Sequence, residues 1–204
     1  MEREASVMDY VGGHGFPVPR VDELRDGGTT MVMEYLEGPT MLSCMVVAPD
    51  DAVRWCERLG ELLGELHEIP APAWLSDCPV GSGDRLLHLD FHPLNVIVTA
   101  SGPRVVDWAN AARGASAVDC ALSWLLLACG GEQGRGLGEL MSSRQRECCL
   151  RGFAATVDVD MLSLLGDVSH WKAQDRNISS AERVAMSRFV NRHARREDAP
   201  GTPR

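Results

Sequence analysis

The chain is almost without lysine. Of its 20 basic residues only Lys172 is a lysine, against 29 acids, and the net charge is −9. Such a balance disfavours nucleic acid as a partner and is compatible with a cationic one. No apolar run approaches the ~20 residues of a membrane span, so no membrane partner is expected. The first residues are charged, so no secretory signal is visible. The seven cysteines are odd in number and form no Cys-x-x-Cys pair. They read as reduced thiols of a cytoplasmic protein, serving mostly as small core residues. Gly130–Gly136 is rich in glycine but lacks both a Lys-Ser/Thr ending and a preceding strand, which argues against a phosphate loop. His88 and His92 sit in a segment broken by Pro93 with no third nitrogen or sulfur ligand in view, which argues against zinc.

What remains suits a soluble globular protein. With 204 residues, 45% of them hydrophobic, one domain or two small lobes can bury a real core. The patterning predicts a helix over 2–13, with Val7, Met8 and Val11 on one side and Gly12-Gly13 at its end. Strands are expected at 20–25 and 29–36 around Asp26-Gly27-Gly28. Gly38-Pro39 marks a hinge. A long helix is expected from Asp51 to about His67, buried through Val53, Leu59, Leu62, Leu63 and Leu66 and capped by Asp50 or Asp51. Residues 117–129 are almost wholly apolar and predict a helix buried all round. Further helices are expected at 140–155, 160–171 and 180–194, the last opened by a Ser179–Glu182 capping box. Residues 130–138 read as a flexible loop and 195–204 as a frayed tail.

The chemistry lies between Leu87 and Trp108. Asp90 stands in a His-x-Asp turn, followed by Asn95 and Asp107. Val96–Val98 and Arg104–Val106 are short β-type runs with a turn-rich link between them, so they predict a hairpin. Its outer ends meet, which sets Asn95 beside Asp107. An amide oxygen and a carboxylate so placed can ligate one hard cation such as Mg²⁺, while Asp90 faces a hydroxyl aimed at the same phosphate. Pro93 stiffens the loop between them. His88 is expected to hydrogen-bond loop backbone and fix the carboxylate of Asp90. Asp119, opening the buried helix, is expected to accept backbone N–H bonds and tie that helix to the catalytic turn. His67 is expected to be a packed or capping histidine, and Cys148-Cys149 to be helix packing.

At these residues the chain resembles the aminoglycoside phosphotransferases, small-molecule kinases with a protein-kinase-like fold. The resemblance rests on His88-Leu-Asp90-Phe-His-Pro-Leu-Asn95, on Val105-Val-Asp107-Trp108 and on Gly114-Ala-Ser-Ala-Val-Asp119, with Leu89 where that family usually has glycine. Phe16–Arg20 and Met31–Gly38 resemble the segment after its first helix and its adenine-bearing hinge. The resemblance covers about residues 2–125.

It implies an α+β fold: a partial N-terminal lobe of one helix and two strands with the hinge strand (1–37), then a helical C-terminal lobe (38–194). It implies transfer of the terminal phosphate of ATP or GTP to a small-molecule hydroxyl, an amine-bearing alcohol among the candidates. Asp90 would be the base, and Asn95 and Asp107 the Mg²⁺ ligands. Backbone groups of Glu34 and Leu36 would hold the purine, with Met33, Ile97 and Val106 packed on it. Glu4 would be the helix glutamate that pairs with a strand lysine, but no matching lysine or glycine loop precedes it. The chain is therefore expected to be either a shortened, impaired enzyme or a natural relative without its lid. The rival reading is a non-catalytic remnant that binds a nucleotide or a protein.

Overall fold

The computed structural model describes residues 1–129 and 142–197. The glycine-rich stretch expected over 130–138, the first residues of the helix expected at 140 and the last of the expected tail lie outside them. Helix α1 (Glu2–Gly13) buries Ala5, Val7, Met8 and Val11 on one face. The chain then reverses at Gly15, where φ is +84°, a value glycine adopts without strain. Strands β1 (Val21–Arg25) and β2 (Thr30–Met33) pair antiparallel. Their turn holds Asp26, Gly27 and Gly28 at positive φ, and the Thr30 hydroxyl donates to the Asp26 carboxylate at 2.8 Å. β2 is shorter than the pattern predicts. Past Met33 the chain leaves the ladder for the hinge, with only the Glu34 N–H still donating to the Arg20 carbonyl at 2.8 Å.

Gly38 is fixed by proximity. A Cβ there would stand 2.0 Å from the Val98 carbonyl oxygen. Thr40 caps helix α2 (Met41–Val47) by accepting the Ser43 N–H at 3.1 Å. This helix is too short to show a clear period in the sequence, and none was expected. Helix α3 (Ala52–His67) follows a 3-10 turn over Pro49–Asp51. Asp51 sits at its N-cap without a side-chain capping bond, so the expected acidic cap is replaced by that tighter turn.

Two small antiparallel pairs carry the middle of the chain: β3 (Arg85–Leu87) with β6 (Ala112–Gly114), and β4 (Val96–Thr99) with β5 (Gly102–Val105). Helix α4 (Ser116–Cys129) follows, buried on nearly every side. Helices α5 (Ser143–Thr156), α6 (Leu162–Lys172) and α7 (Ser180–Glu197) close around it. Trp124 of α4 donates its indole N–H to the Leu150 carbonyl of α5 at 3.0 Å and meets the Phe189 ring of α7 at 4.8 Å. Ser179 and Glu182 exchange bonds of 2.8 and 3.2 Å at the start of α7, the capping box that their spacing predicts.

One apolar core runs from Val7 and Met8 of α1 through Trp108 to Phe189 of α7. The architecture is α+β and mostly helical, with two small sheets and a short N-terminal hairpin rather than a full strand layer. Among the described residues no helix is long and apolar enough to cross a membrane.

Candidate active site

Strand β3 delivers His88 into the core. Its side chain is wholly buried among aromatic rings, with Trp108 at 4.6 Å and Phe91 at 5.4 Å. The ring spans the site. Nδ1 accepts the Asp90 backbone N–H at 3.2 Å, and Nε2 lies 3.1 Å from the Val106 carbonyl oxygen. An accepting Nδ1 requires that Nε2 carry the proton and donate, which defines a neutral imidazole. Burial agrees, since it pushes the His88 pKa below the ordinary value and outweighs the raising influence of the nearby Asp119 and Asp90 carboxylates. His88 therefore fixes the backbone of the Asp90 turn to that of the hairpin. It touches the Asp90 main chain.

The next residue shows why a glycine suits this turn. Leu89 has φ +59°, a region that costs a non-glycine residue about 1–2 kcal/mol. Two things offset that cost. The Leu89 side chain is buried, and its N–H donates to Asp119 Oδ1 at 2.9 Å. Asp119, fully buried in the first turn of α4, also accepts the His88 N–H at 2.8 Å. His67 Nε2 lies 3.2 Å from the same carboxylate, and its Nδ1 lies 3.9 Å from the Cys120 thiol. Cys120 is buried, and its thiol pKa is pushed up by burial first and by Asp119 second. This Cys-His-Asp row has no access to substrate and serves as packing.

Asp90 emerges half-buried at the mouth of the turn. Burial pushes its carboxyl up, but the His92 hydrogen bond, with the charges of His92, Lys172 and His88, holds it below the ordinary Asp value. It is ionised at neutral pH. His92 Nε2 lies 3.6 Å from Oδ2. Asn95, at the end of a 3-10 turn over Pro93–Asn95, donates Nδ2 to the Asp90 carbonyl oxygen at 3.0 Å. That commitment orients the amide and leaves Oδ1 of Asn95 as the free donor atom.

The hairpin register is Val96 opposite Val105, and the Val106 N–H donates to the Asn95 carbonyl at 3.0 Å. Asp107 is the next residue, exposed and at φ +63°. Aspartate tolerates this conformation better than most residues. Asn95 Oδ1 and the Asp107 carboxylate are hard oxygen donors at one end of one hairpin, a donor set that suits Mg²⁺. Among the described residues no group of three or more histidine, cysteine or acidic side chains is placed to hold a metal ion together.

The hinge residues lie across from this hairpin. Thr40 bridges Ile97, and the Val98 N–H donates to the Pro39 carbonyl at 2.8 Å. Met33 is partly exposed, Val106 and Ile97 are half-buried, and the Glu34 N–H is already taken by Arg20. Only the Glu34 carbonyl is left for a ligand. Glu4 is half-buried on α1, and among the described residues its carboxylate has no hydrogen bond or ion pair. The neighbouring Arg3 instead reaches the Ala109 carbonyl at 2.8 Å and the Ala111 carbonyl.

One site residue had no local signal in the sequence. Lys172, the last residue of α6, places Nζ 3.9 Å from Asp90 Oδ1 and 3.3 Å from Asp175 Oδ2. That it is the only lysine was the single available clue, and nothing near it in the sequence says which residue it meets.

Residues 1–81 match the phosphotransferase enzyme family, a stretch that ends before Asp90. No curated protein matches the chain. Among solved structures, an aminoglycoside-3'-phosphotransferase of type VIII is similar at 16% identity and a TM-score of 0.53, over 93% of this chain and 78% of that one. A choline/ethanolamine kinase family protein from Mesorhizobium loti is similar at 15% identity and a TM-score of 0.53, over 97% and 78%. The resemblance to the phosphotransferase family thus extends from sequence, over the first part of the chain, to the fold over nearly all of it. The likeness to these solved structures is one of fold.

Proposed function

We propose that the chain is built to move the terminal phosphate of ATP or GTP to the hydroxyl of a small molecule. The observation that carries this reading is the hairpin register. It sets Asn95 and Asp107 at one end of β4–β5, next to an Asp90 whose backbone is held by His88. In the reaction the acceptor hydroxyl faces the Asp90 carboxylate. Its oxygen bonds to the terminal phosphorus, the bond to the bridging oxygen breaks with its electron pair leaving on the nucleoside diphosphate, and the hydroxyl proton passes to Asp90. A carboxylate held below the ordinary value is a weak base, so Asp90 orients the hydroxyl first and takes the proton late. Asn95 and Asp107 would hold Mg²⁺, which supplies charge neutralisation on the phosphates. The Glu34 carbonyl and the Leu36 N–H would read the purine, against Met33, Ile97 and Val106.

Residues 1–37 serve as the nucleotide-side lobe and 38–194 as the helical body that receives the acceptor. The acceptor is a compact hydroxyl compound, and an amine-bearing one suits the acidic chain. Glu4 is the residue of α1 available to a phosphate-binding lysine, and the one lysine of this chain stands elsewhere. Nucleotide affinity of the chain by itself is accordingly weak and turnover slow, because positioning and charge neutralisation supply most of the catalysis in phosphoryl transfer.

Titration calorimetry tests this with ATP in Mg²⁺ and in EDTA. Binding strengthens with Mg²⁺ in the wild type, the dependence disappears in Asp107→Ala, and it weakens in Asn95→Ala. Equal metal dependence in wild type and Asp107→Ala would overturn the ligand assignment. Micromolar binding with steady ATP consumption would overturn the weak-affinity reading.

A further inference from the structure

The surroundings of Asp90 are divided between its two carboxylate oxygens. Oδ2 faces its own loop, with His92 Nε2 at 3.6 Å and Asn95 Nδ2 at 3.4 Å. Oδ1 faces the helical body, and the group it meets is the ammonium of Lys172. The Lys172 side chain is only 11% exposed, although lysine is a residue that ordinarily keeps its head in water. Its charge is satisfied by the two carboxylates of Asp90 and Asp175.

The frame around this ammonium is built rather than incidental. The chain turns at the end of α6 through the Asp175 N–H donating to the Lys172 carbonyl at 3.0 Å, and Asp175 Oδ1 accepts the Asn177 N–H at 2.9 Å. Arg183 of α7 reaches back to the same turn, donating to the Ala173 carbonyl at 2.7 Å and to the Asp175 carbonyl at 3.0 Å. Both guanidinium bonds go to backbone, so they set the position of Asp175 without competing for its carboxylate. A cavity of about 330 Å³ opens beside this turn, lined by Leu89, Asn110, Trp171, Lys172, Gln174 and Asp175. Its size is at the low end of small-molecule sites.

We propose that Lys172 is a positioning residue for the Asp90 carboxylate, holding Oδ1 toward the end of α6 while Asp175 and, behind it, Arg183 hold Lys172. The inference rests on the phosphotransferase reading for what Asp90 does, but not for what holds Asp90. Without the ammonium that now contacts both carboxylates, Asp90 and Asp175 would repel each other, and Oδ1 would lose the one group of the helical body that holds it. With it, one oxygen is committed to the helical body and the other to the hairpin. The carboxylate is then fixed at both ends before an acceptor arrives, which is where positioning gains most.

The groups facing Asp90 are His88 and His92 from its own loop, Lys172 from α6 and Asp175 from the following turn. The test reads where the Asp90 side chain sits. Three-bond Hα–Hβ couplings of Asp90 in the full chain, measured at one neutral pH, report its χ1 rotamer, with the resonances assigned by their loss in Asp90→Asn. The wild type shows a single rotamer, Lys172→Met shows rotamer-averaged couplings because the contact to Oδ1 is gone, and Lys172→Arg restores the single rotamer. Unchanged couplings in Lys172→Met overturn the proposal, as does averaging in Lys172→Arg equal to that in Lys172→Met. Should Lys172→Met fail to fold, Lys172→Gln, which keeps a polar stem without the charge, is read in its place with the same two outcomes. The calorimetric result with Asp107→Ala reads the phosphotransferase proposal separately, so either can fail while the other stands.

Discussion

At the scale of single residues, His88 shows how a site motif can be architecture. Its imidazole is neutral because Nδ1 accepts a backbone N–H and because burial disfavours the charged ring. The consequence for stability has a definite sign. The folded-state pKa lies below that of the unfolded chain, so on acidification the unfolded state takes up the proton first. Stability rises with pH wherever the unfolded state binds more protons. The contribution of His88 is therefore fully present above its unfolded value of about 6.5 and is lost as pH falls below it. Urea midpoints measured from pH 7.5 down to pH 5 should fall for the wild type. His88→Gln should start lower, since the two backbone partners lose their bridge, but decline less steeply over the same range. An equally steep decline in the variant would assign the pH dependence to other groups. That Asp90, Asn95 and Asp107 lie near one another was readable from the sequence because the turn and the hairpin place them by local geometry. Asp119 on α4 instead meets His88 and Leu89 across 31 and 30 residues, and it was legible only through the spacing that resembles a family pattern. Lys172 and Arg3 were not legible, because their partners lie far along the chain and only the packing of α6 and α1 brings them in.

At the scale of elements, what the sequence showed depended on length and on periodicity. The long stripe of α3 and the apolar run of α4 are strong signals, and both helices form there. Helix α2 has only seven residues and strands β3 and β6 three each, too few for a pattern to repeat, and none of them was expected. The crossing of α3 with α5 depends on a feature visible only in three dimensions. A Cβ at Gly60 would stand 2.0 Å from Thr156 Oγ1 and 3.1 Å from the Phe153 carbonyl, whereas a Cβ at Gly64, one turn further along α3, would meet nothing. Gly64→Ala should therefore stabilise by about 0.5–1 kcal/mol through helix propensity alone. Gly60→Ala should destabilise despite the same gain, because overpacking costs about 1–3 kcal/mol. Chemical denaturation of the two single variants checks the contrast. Equal stabilisation by both would mean that α3 and α5 are not in close contact at Gly60.

At the scale of the whole molecule, the N-terminal piece and the helical body share one core. Val7, Met8, Val11 and Phe16 belong to the same buried cluster as Trp108 and α4. The Phe16 ring meets Trp108 edge-on at 5.7 Å, and the Val105 N–H donates to the Pro17 carbonyl at 2.8 Å. Small single domains with a continuous core usually unfold in one transition. The described part of the chain should do so, with thermal curves by far-ultraviolet circular dichroism and by tryptophan fluorescence coinciding. A separate early loss of helix signal, with the Trp108 environment intact, would show that residues 1–37 behave as an independent piece. Residues 1–37 and the helical body are on this view parts of one folding unit.

Arg3 gives the N-terminal helix a reach beyond its own packing. Its guanidinium ends on the Ala109 and Ala111 carbonyls, just past Asp107 and Trp108. In mechanical terms it is a strut between α1 and the segment that carries the Asp107 carboxylate. A strut transmits axial displacement. If α1 slides along its axis, the segment after Asp107 must follow or two charge-assisted bonds must break. Asp107, exposed and in a left-handed conformation, lies two residues before the nearer anchor, so a shift of the helix reaches its carboxylate through the backbone.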